Sequence, residues 1–146
     1  LAKMIFDQEH DLGNHTYFHP RLTELTRMEI EKEILDTNMA IERATGFKPV
    51  LFRPPWGDWD LLLEEILLQL GMKMILWSYG TDDWRVSDPN IVAGNFVHRA
   101  YHRAIAIFHQ HPHVPEALSA GLPSLIEKGY QFVPVSELIM HRDGLS

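Results

Sequence analysis

Short apolar segments alternate with helix-length segments along the chain, and this alternation constrains the fold more than any other feature. The apolar segments have the length and composition of buried strands. They are "PVLF" (49–52), "MKMILW" (72–77), "AIAIF" (104–108) and "YQFVPV" (130–135). Such alternation is typical of α/β folds with parallel strands. We therefore predict an α/β fold whose chemistry collects on the loops that follow the strands.

Capping residues mark the ends of several helices. Thr26 is a candidate N-cap with Glu29 as its capping-box partner, and Gly46 ends that helix. Asp88 and the proline after it open a later helix. The predicted helical segments are the tail of a helix at 1–9, then 23–44, 59–70 ended by Gly71, 89 to about 102, 115–128 ended by Gly129, and a terminal turn in "SELIMH".

Composition excludes several classes of function. At 146 residues the chain suits one domain, 1–146, with a sizeable core. The net charge of −7 argues against nucleic-acid binding, because proteins that bind nucleic acids usually carry clustered basic residues. The chain has no cysteine, so His, Asp or Glu must hold any metal. Charges interrupt the longest apolar runs, so we expect no membrane span.

Two histidines four residues apart, His15 and His19, lie in the segment "DLGNHTYFHP". On a turn or tight loop this spacing can point two imidazole nitrogens at one cation. The chain has nine histidines, however, and His98 and His102 share the spacing. We place that second pair mid-helix on a solvated surface. On spacing alone, an incidental pair is the commoner explanation of His15 and His19.

Three further histidines, His109, His111 and His113, alternate after the strand at 104–108. One functional histidine with two bystanders explains such a loop as well as three ligands do. The residues alone leave this choice open.

The segment "LFRPPWGDWD" places Arg53 at a strand end, before two prolines. The prolines stiffen the loop, and the guanidinium is a fixed, always-charged fork. A loop arginine can equally cap the end of a helix. Trp56 and Trp59 suit either the core or stacking against the faces of sugar rings.

Two adjacent acids, Asp82 and Asp83, follow the strand at 72–77 and precede Trp84. Acids in this position usually form a solvated turn or a helix cap. The functional alternative is an acid that orients a histidine or an arginine in the site.

The order of these segments resembles that of a known family. "GNHTYFH", "FRPPWG", "DDW" and "IAIFH" follow one another at intervals similar to those of the polysaccharide deacetylases, the NodB-homology domains of carbohydrate esterase family 4. The closing "EALSAGLPSLIEKGYQFVPVSEL" is similar to the family's last helix, strand and helix. The resemblance covers essentially the whole chain and implies a NodB-type distorted (β/α) barrel.

The resemblance implies a divalent metal, most often zinc, held by His15 and His19, with Thr16 helping to hold their loop. Arg53 would orient a catalytic aspartate. Trp56 would offer its backbone N–H to the oxyanion and its ring to the groove wall.

The resemblance also implies roles for residues later in the chain. Asp83 would tune the catalytic histidine or the arginine, and His109 would be the general acid that protonates the departing amine. Trp84 would line the substrate groove, together with Pro55 and Trp56.

The sequence departs from the family pattern at three points. The first motif, T-F-D-D-G, carries the catalytic base and the third metal ligand in the family and has no match here. Asp7 and Asp11 do not fit it, and we therefore expect an N-terminally incomplete domain that lacks its first β/α segment. Gly80 stands where the family's fourth motif usually has its leading Asp, with Asp82 as a substitute, and Gln110 follows His109 where Asp is common.

The expected activity is metal-assisted hydrolysis of N-acetyl groups on amino-sugar polymers of the chitin or peptidoglycan type. An O-acetyl xylan esterase and a non-catalytic carbohydrate-binding relative are the alternatives, and incidental metal capture is a weaker one. The family implies an extracytoplasmic location. An unpaired sheet edge invites a retained N-terminal peptide or a homodimer.

Overall fold

The computed structural model describes the backbone of residues 1–142 and the side chains of residues 1–140. The chain divides into two compact units, Leu1–Leu76 and a second that begins at Trp77. Helices and short parallel strands alternate in both units, so the predicted α/β class is confirmed. Within the described residues, no helix is both long enough and apolar enough to cross a bilayer.

The first unit contains three helices and two short parallel strands. Strand β1 pairs with β2 so that Leu51 lies opposite Lys73 and Phe52 opposite Met74. Asn14 adds a single parallel bridge to Phe52. The elements are α1 (Ala2–Asp7), α2 (Arg27–Thr45), β1 (Leu51–Phe52), α3 (Leu61–Gln69) and β2 (Lys73–Met74), with 3-10 turns at Leu22–Glu24 and Pro55–Gly57.

Local signals in the sequence set the ends of α2. The Glu29 carboxylate accepts hydrogen bonds from the Thr26 backbone N–H at 2.8 Å and from its hydroxyl at 2.6 Å. This is the predicted capping box, and α2 begins directly after Thr26. Gly46 ends the helix with a left-handed φ of 76°, a conformation that glycine adopts without strain.

The core of the first unit lies between α2, α3 and β1. One apolar face of each helix supplies it, and its side chains are almost completely removed from water. These side chains are Leu22, Ile30, Ile34, Phe52, Leu63, Ile66, Leu67 and Met72.

The described residues of the second unit also form three helices and two parallel strands. Strand β3 pairs with β4 so that Tyr79 lies opposite Ala106 and Gly80 opposite Ile107. The elements are β3 (Tyr79–Gly80), α4 (Pro89–Arg99), β4 (Ala106–Ile107), α5 (Val114–Glu127) and α6 (Val135–Arg142).

Helices α4 and α5 pack closely because Gly121 leaves room for an aromatic ring. A Cβ at Gly121 would lie 2.8 Å from Cδ1 of Phe96. Phe96 is buried and stacks edge to face with Phe108, with ring centroids 5.1 Å apart. Val92, Ala93 and Ala117 fill the rest of this contact.

Three predictions for the second unit are wrong. Helix α4 ends at Arg99, not near 102, because Ala100 takes an extended backbone whose carbonyl accepts the Tyr130 hydroxyl at 3.2 Å. His98 therefore lies in the last turn and His102 outside the helix, so this pair is not mid-helix. Among the described residues, 130–134 form no strand, and Val135 begins α6.

The predicted strand at 72–77 is also shorter than expected. Only Lys73–Met74 pairs as a strand. A separate strand at Tyr79–Gly80, which the sequence did not reveal, precedes the two aspartates. The acids therefore follow β3, and the second unit begins between the two strands.

Two glycine substitutions test the packing of α4 on α5. Gly121→Ala should lower the free energy of unfolding by about 1–3 kcal/mol, because the new methyl group must displace a buried ring. Gly94→Ala should raise it by up to about 1 kcal/mol, because alanine favours the helix and its Cβ meets the nearest atom at an ordinary 3.9 Å. Urea unfolding measures both, and equal effects of the two changes would contradict this packing.

Candidate functional site

The first unit brings His15 and His19 together on a loop that follows Asn14. Their ring centroids lie 4.9 Å apart, and both side chains are exposed. His15 Nδ1 lies 2.6 Å from the backbone carbonyl of Arg53, so Nδ1 carries the proton. That tautomer puts the lone pair on Nε2, the form in which a histidine ligates a metal while its other nitrogen is held by the protein.

Buried Asn14 holds the start of this loop. Its Nδ2 donates to the Ile34 carbonyl and to Asn38 Oδ1, each at 2.8 Å, while its Oδ1 accepts the Thr16 N–H at 2.8 Å. The Thr16 hydroxyl in turn accepts the His19 N–H at 3.1 Å. Sequence analysis missed Asn14 and Asn38, because their pairing spans 24 residues and leaves no local pattern.

Two histidines alone make an incomplete metal site. Within the described part of the chain, no group of three His, Asp or Glu side chains could hold a metal ion. The donor chemistry and the fixed tautomer of His15 fit two ligands of a divalent cation.

The loop after β1 carries Arg53, Pro55 and Trp56. The Nε of Arg53 is buried and has no hydrogen-bond partner among the described residues, and burial lowers the pKa of its guanidinium. Pro54 and Pro55 are buried and fix the loop. Trp56 has a left-handed φ of 62°, a strained conformation for a non-glycine residue.

The Trp56 ring is exposed and lies beside the histidines. Its centroid is 5.0 Å from that of His19, and the Arg21 guanidinium lies over it at 5.2 Å. Trp59 is also largely exposed. The two tryptophans thus belong to the surface of the first unit and not to its core.

The second unit brings Asp83 and His109 together. Asp83 is buried, with 2% of its surface exposed, whereas the His109 ring is exposed. One carboxylate oxygen of Asp83 accepts the backbone N–H of His109, and the other lies 3.1 Å from its ring Nδ1. The Thr81 hydroxyl donates to the same carboxylate at 3.1 Å.

This environment keeps Asp83 ionised. Burial of the carboxyl would by itself raise its pKa, but the hydrogen bonds from the His109 backbone and ring act against burial and hold the pKa below its ordinary value of 3.8. A carboxylate at Nδ1 fixes the tautomer of the ring and leaves Nε2 to exchange a proton.

A second network holds the loop before Asp83. Arg99 donates to the Gly80 carbonyl at 2.7 Å and to the Asp82 carboxylate at 2.8 Å, and Arg85 reaches the same carboxylate at 3.0 Å. These arginine hydrogen bonds lower the pKa of Asp82. Asp82 thus anchors its own loop through two cations, and Trp84 beside it is 65% exposed.

His113 also contacts this loop, because its Nε2 lies 3.0 Å from the Asp83 carbonyl. His111 stacks on His113 with ring centroids 5.4 Å apart. One of the two predicted bystanders is therefore bonded to the Asp83 backbone. The spacing of the histidines alone did not indicate which one.

Comparison with known proteins identifies the family of the chain. The family model described as polysaccharide deacetylase matches residues 1–75 of the 146. The chain belongs to the polysaccharide deacetylase family. The peptidoglycan-N-acetylglucosamine deacetylase PgdA of Listeria monocytogenes is 32% identical over 139 residues, which are 94% of this chain and 29% of PgdA. A chitin deacetylase of Amylomyces rouxii is 41% identical over 75 residues, 51% of this chain and 18% of that protein.

Among solved structures, the chain is similar to BA3943 of Bacillus anthracis, which is described as a carbohydrate esterase family 4 pseudoenzyme. The identity is 33% and the TM-score 0.88, over 94% of this chain and 49% of BA3943. A BA3943 mutant is described as having restored enzymatic activity. The chain therefore spans half or less of the length of these relatives, some described as deacetylases and one as a pseudoenzyme.

The Asp83 environment predicts a pH dependence of stability. Because its pKa is depressed in the folded state, Asp83 contributes stability that is complete above about pH 4 and is lost as the pH falls through the folded-state value. The difference in free energy of unfolding between the wild type and Asp83→Asn should thus be smaller below about pH 4 than at about pH 7. Urea titrations across this range measure it, and a difference that does not change with pH would contradict it.

Proposed function

We propose that the protein is a metal-dependent deacetylase that hydrolyses N-acetyl amides on an amino-sugar polymer outside the cytoplasm. The observation that carries the proposal is the pairing of a buried carboxylate, Asp83, with the exposed ring of His109. Such a pair is the arrangement of a general acid that must give up one proton at a defined nitrogen. Similarity to peptidoglycan and chitin deacetylases supports an amide of a cell-wall or chitin-type sugar.

His15 and His19 would contribute two ligands to a divalent metal, with zinc as the expected ion. When bound, such a metal lowers the pKa of a water molecule and polarises the acetyl carbonyl. The Arg53 carbonyl holds the His15 ring, and Thr16 holds the backbone of His19, so both imidazoles are oriented in advance.

The remaining residues bind the substrate, stabilise the oxyanion or transfer protons. Asp83 keeps a proton on Nδ1 of His109, so Nε2 is the nitrogen that delivers a proton to the departing amine as the C–N bond breaks. The strained Trp56 presents its backbone N–H to the oxyanion. Pro55 and Trp56 of the first unit, and Trp84 of the second, would contact the polymer.

Arg53 would hold a carboxylate that acts as the base. Its buried Nε has no partner among the described residues, and a buried guanidinium of this kind is stabilised by a carboxylate. In the family the base and the third metal ligand come from the T-F-D-D-G motif, which has no match within residues 1–146.

A specific observation favours a second candidate function, a non-catalytic carbohydrate-binding relative. The described residues contain two grouped histidines but no group of three metal donors, and the similar protein BA3943 is described as a pseudoenzyme. In this case Trp56 and Trp84 would bind sugar without turnover. An O-acetyl esterase is the remaining alternative within the fold.

Acetate release by the whole protein separates these functions. The protein, stripped of metal and reloaded with zinc, should release acetate from N-acetylglucosamine oligomers or from peptidoglycan. His109→Ala should lower kcat by about 10²–10⁴-fold, whereas His98→Ala, an exposed control on α4, should leave it unchanged. Saturable binding of the oligomers without acetate would instead identify the binding relative, and release from acetylated xylan alone would identify the esterase.

Arg53→Met tests the function of the buried guanidinium. In residues 1–146 the change should leave the free energy of unfolding unchanged or raise it by up to about 1–2 kcal/mol, because it removes a buried donor that has no partner. In the whole protein it should abolish acetate release. Chemical unfolding and the acetate assay measure the two effects. A loss of more than about 2 kcal/mol in residues 1–146 would contradict the unpartnered state.

We further propose that residues 1–146 form one family domain with a (β/α) barrel. Each described sheet has only two strands, so its edges suit pairing with a retained N-terminal segment or with a second copy. Sedimentation tests this, because a stable monomer of residues 1–146 alone would contradict the need for either partner.

A further inference from the structure

The side chain of Glu33 on α2 is bonded to the loop between the two histidines. Its Oε2 accepts the backbone N–H groups of both Tyr17 and Phe18, each at 2.8 Å. The two donors are two of the three residues that separate His15 from His19 in the sequence. One carboxylate oxygen therefore spans the segment that sets the distance between the two imidazoles.

This loop has little else to hold its middle. The Tyr17 and Phe18 side chains are 55% and 77% exposed, so they do not anchor it in the core. Thr16 and His19, at its two ends, both have left-handed φ values, 65° and 59°, which disfavour this path for non-glycine residues. A strained loop without apolar anchors needs strong hydrogen bonds, and those to a carboxylate are among the strongest.

Glu33 differs from three other acids on α2. Glu29 caps the helix, Glu31 pairs with Arg27 at 3.4 Å, and Asp36 pairs with Lys32. Those three carboxylates are bonded to residues of α2 or to its N-cap. The Glu33 carboxylate is instead directed at backbone donors that lie 15 and 16 residues away in the chain.

We infer that Glu33 is a positioning residue that fixes the spacing of His15 and His19 for metal binding. Its carboxylate accepts hydrogen bonds from both N–H groups and holds the loop in this conformation. It therefore keeps the two imidazole rings at the separation in which both can ligate one ion. This inference rests on the proposed function, because that function assigns a metal to the two histidines.

Two conservative substitutions distinguish the effect of the length of the Glu33 side chain from the effect of its charge. Glu33→Gln removes the charge but keeps an oxygen acceptor at the same distance. Glu33→Asp keeps the charge but shortens the side chain by one methylene, so its oxygen no longer reaches both N–H groups. A positioning residue tolerates the first change and not the second, whereas a residue that only attracts a cation shows the opposite pattern.

The experiment is calorimetric titration of the whole protein with Zn²⁺, together with the amide ¹H–¹⁵N shifts of Tyr17 and Phe18. Glu33→Asp should weaken zinc binding by about 10–100-fold, as loss of an outer-shell partner does, and should move both amide shifts. Glu33→Gln should stay within about threefold of the wild type. Glu31→Ala, on the same helix, is the matched control and should match the wild type in affinity and shifts.

The outcomes separate the inference from the proposed function. Zinc binding that is lost in His15→Ala but keeps wild-type affinity in Glu33→Asp overturns the role of Glu33 and leaves the metal site in place. Weaker binding in Glu33→Gln than in Glu33→Asp also overturns it, in favour of simple attraction of the cation. Zinc binding that does not depend on His15 removes the proposed metal site and the inference with it.

Discussion

The buried amide of Asn14 is the interaction on which the first unit depends. Its side chain is bonded to the backbone of α2, to a second buried amide and to the Thr16 N–H. Its backbone N–H donates to the Leu51 carbonyl in β1, and its carbonyl accepts the Arg53 N–H directly after β1. Both hydrogens of the Asn14 Nδ2 group have an acceptor, so the burial of this amide leaves no donor unsatisfied. Because these bonds join a helix, a strand and the histidine loop, the site inherits the rigidity of the core.

The second unit uses a buried carboxylate in the same way. Asp83 receives hydrogen bonds from a backbone N–H, a hydroxyl and an imidazole ring, and the arginines on Asp82 hold the adjacent backbone. In both units a buried polar side chain is bonded to a loop that carries an exposed histidine. Fully satisfied buried polar groups of this kind favour a single arrangement of the groups around them.

The sequence predicted those features that depend on neighbours along the chain. Thr26 with Glu29 and the left-handed Gly46 act over one helical turn, so the ends of α2 could be predicted. The end of α4 could not, because the contact at Ala100 comes from Tyr130, thirty residues away. The short strand Tyr79–Gly80 carries too little pattern to be distinguished from a loop.

The same distinction applies to the candidate site. Ordered motifs led to His15, His19, Arg53, Asp83 and His109, and the structure groups the first three in one unit and the last two in the other. The side chains that hold them, Asn14 and Glu33 among them, contact the motifs only through long-range packing. Their residue types are common on any helix or loop, so nothing in the sequence distinguishes them.

The bond between His15 Nδ1 and the Arg53 carbonyl links two motifs that are far apart in the chain. Neither motif is independent of the other, because the backbone carbonyl of Arg53 sets the tautomer of the His15 ring. A chimera made from two members of the family must therefore exchange the histidine loop and the proline loop as one block, with the intervening helix that spaces them. A crossover within α2 would combine the histidine loop of one relative with the proline loop of another. The hydrogen bond between the imidazole and the carbonyl would then depend on two loops that did not evolve together.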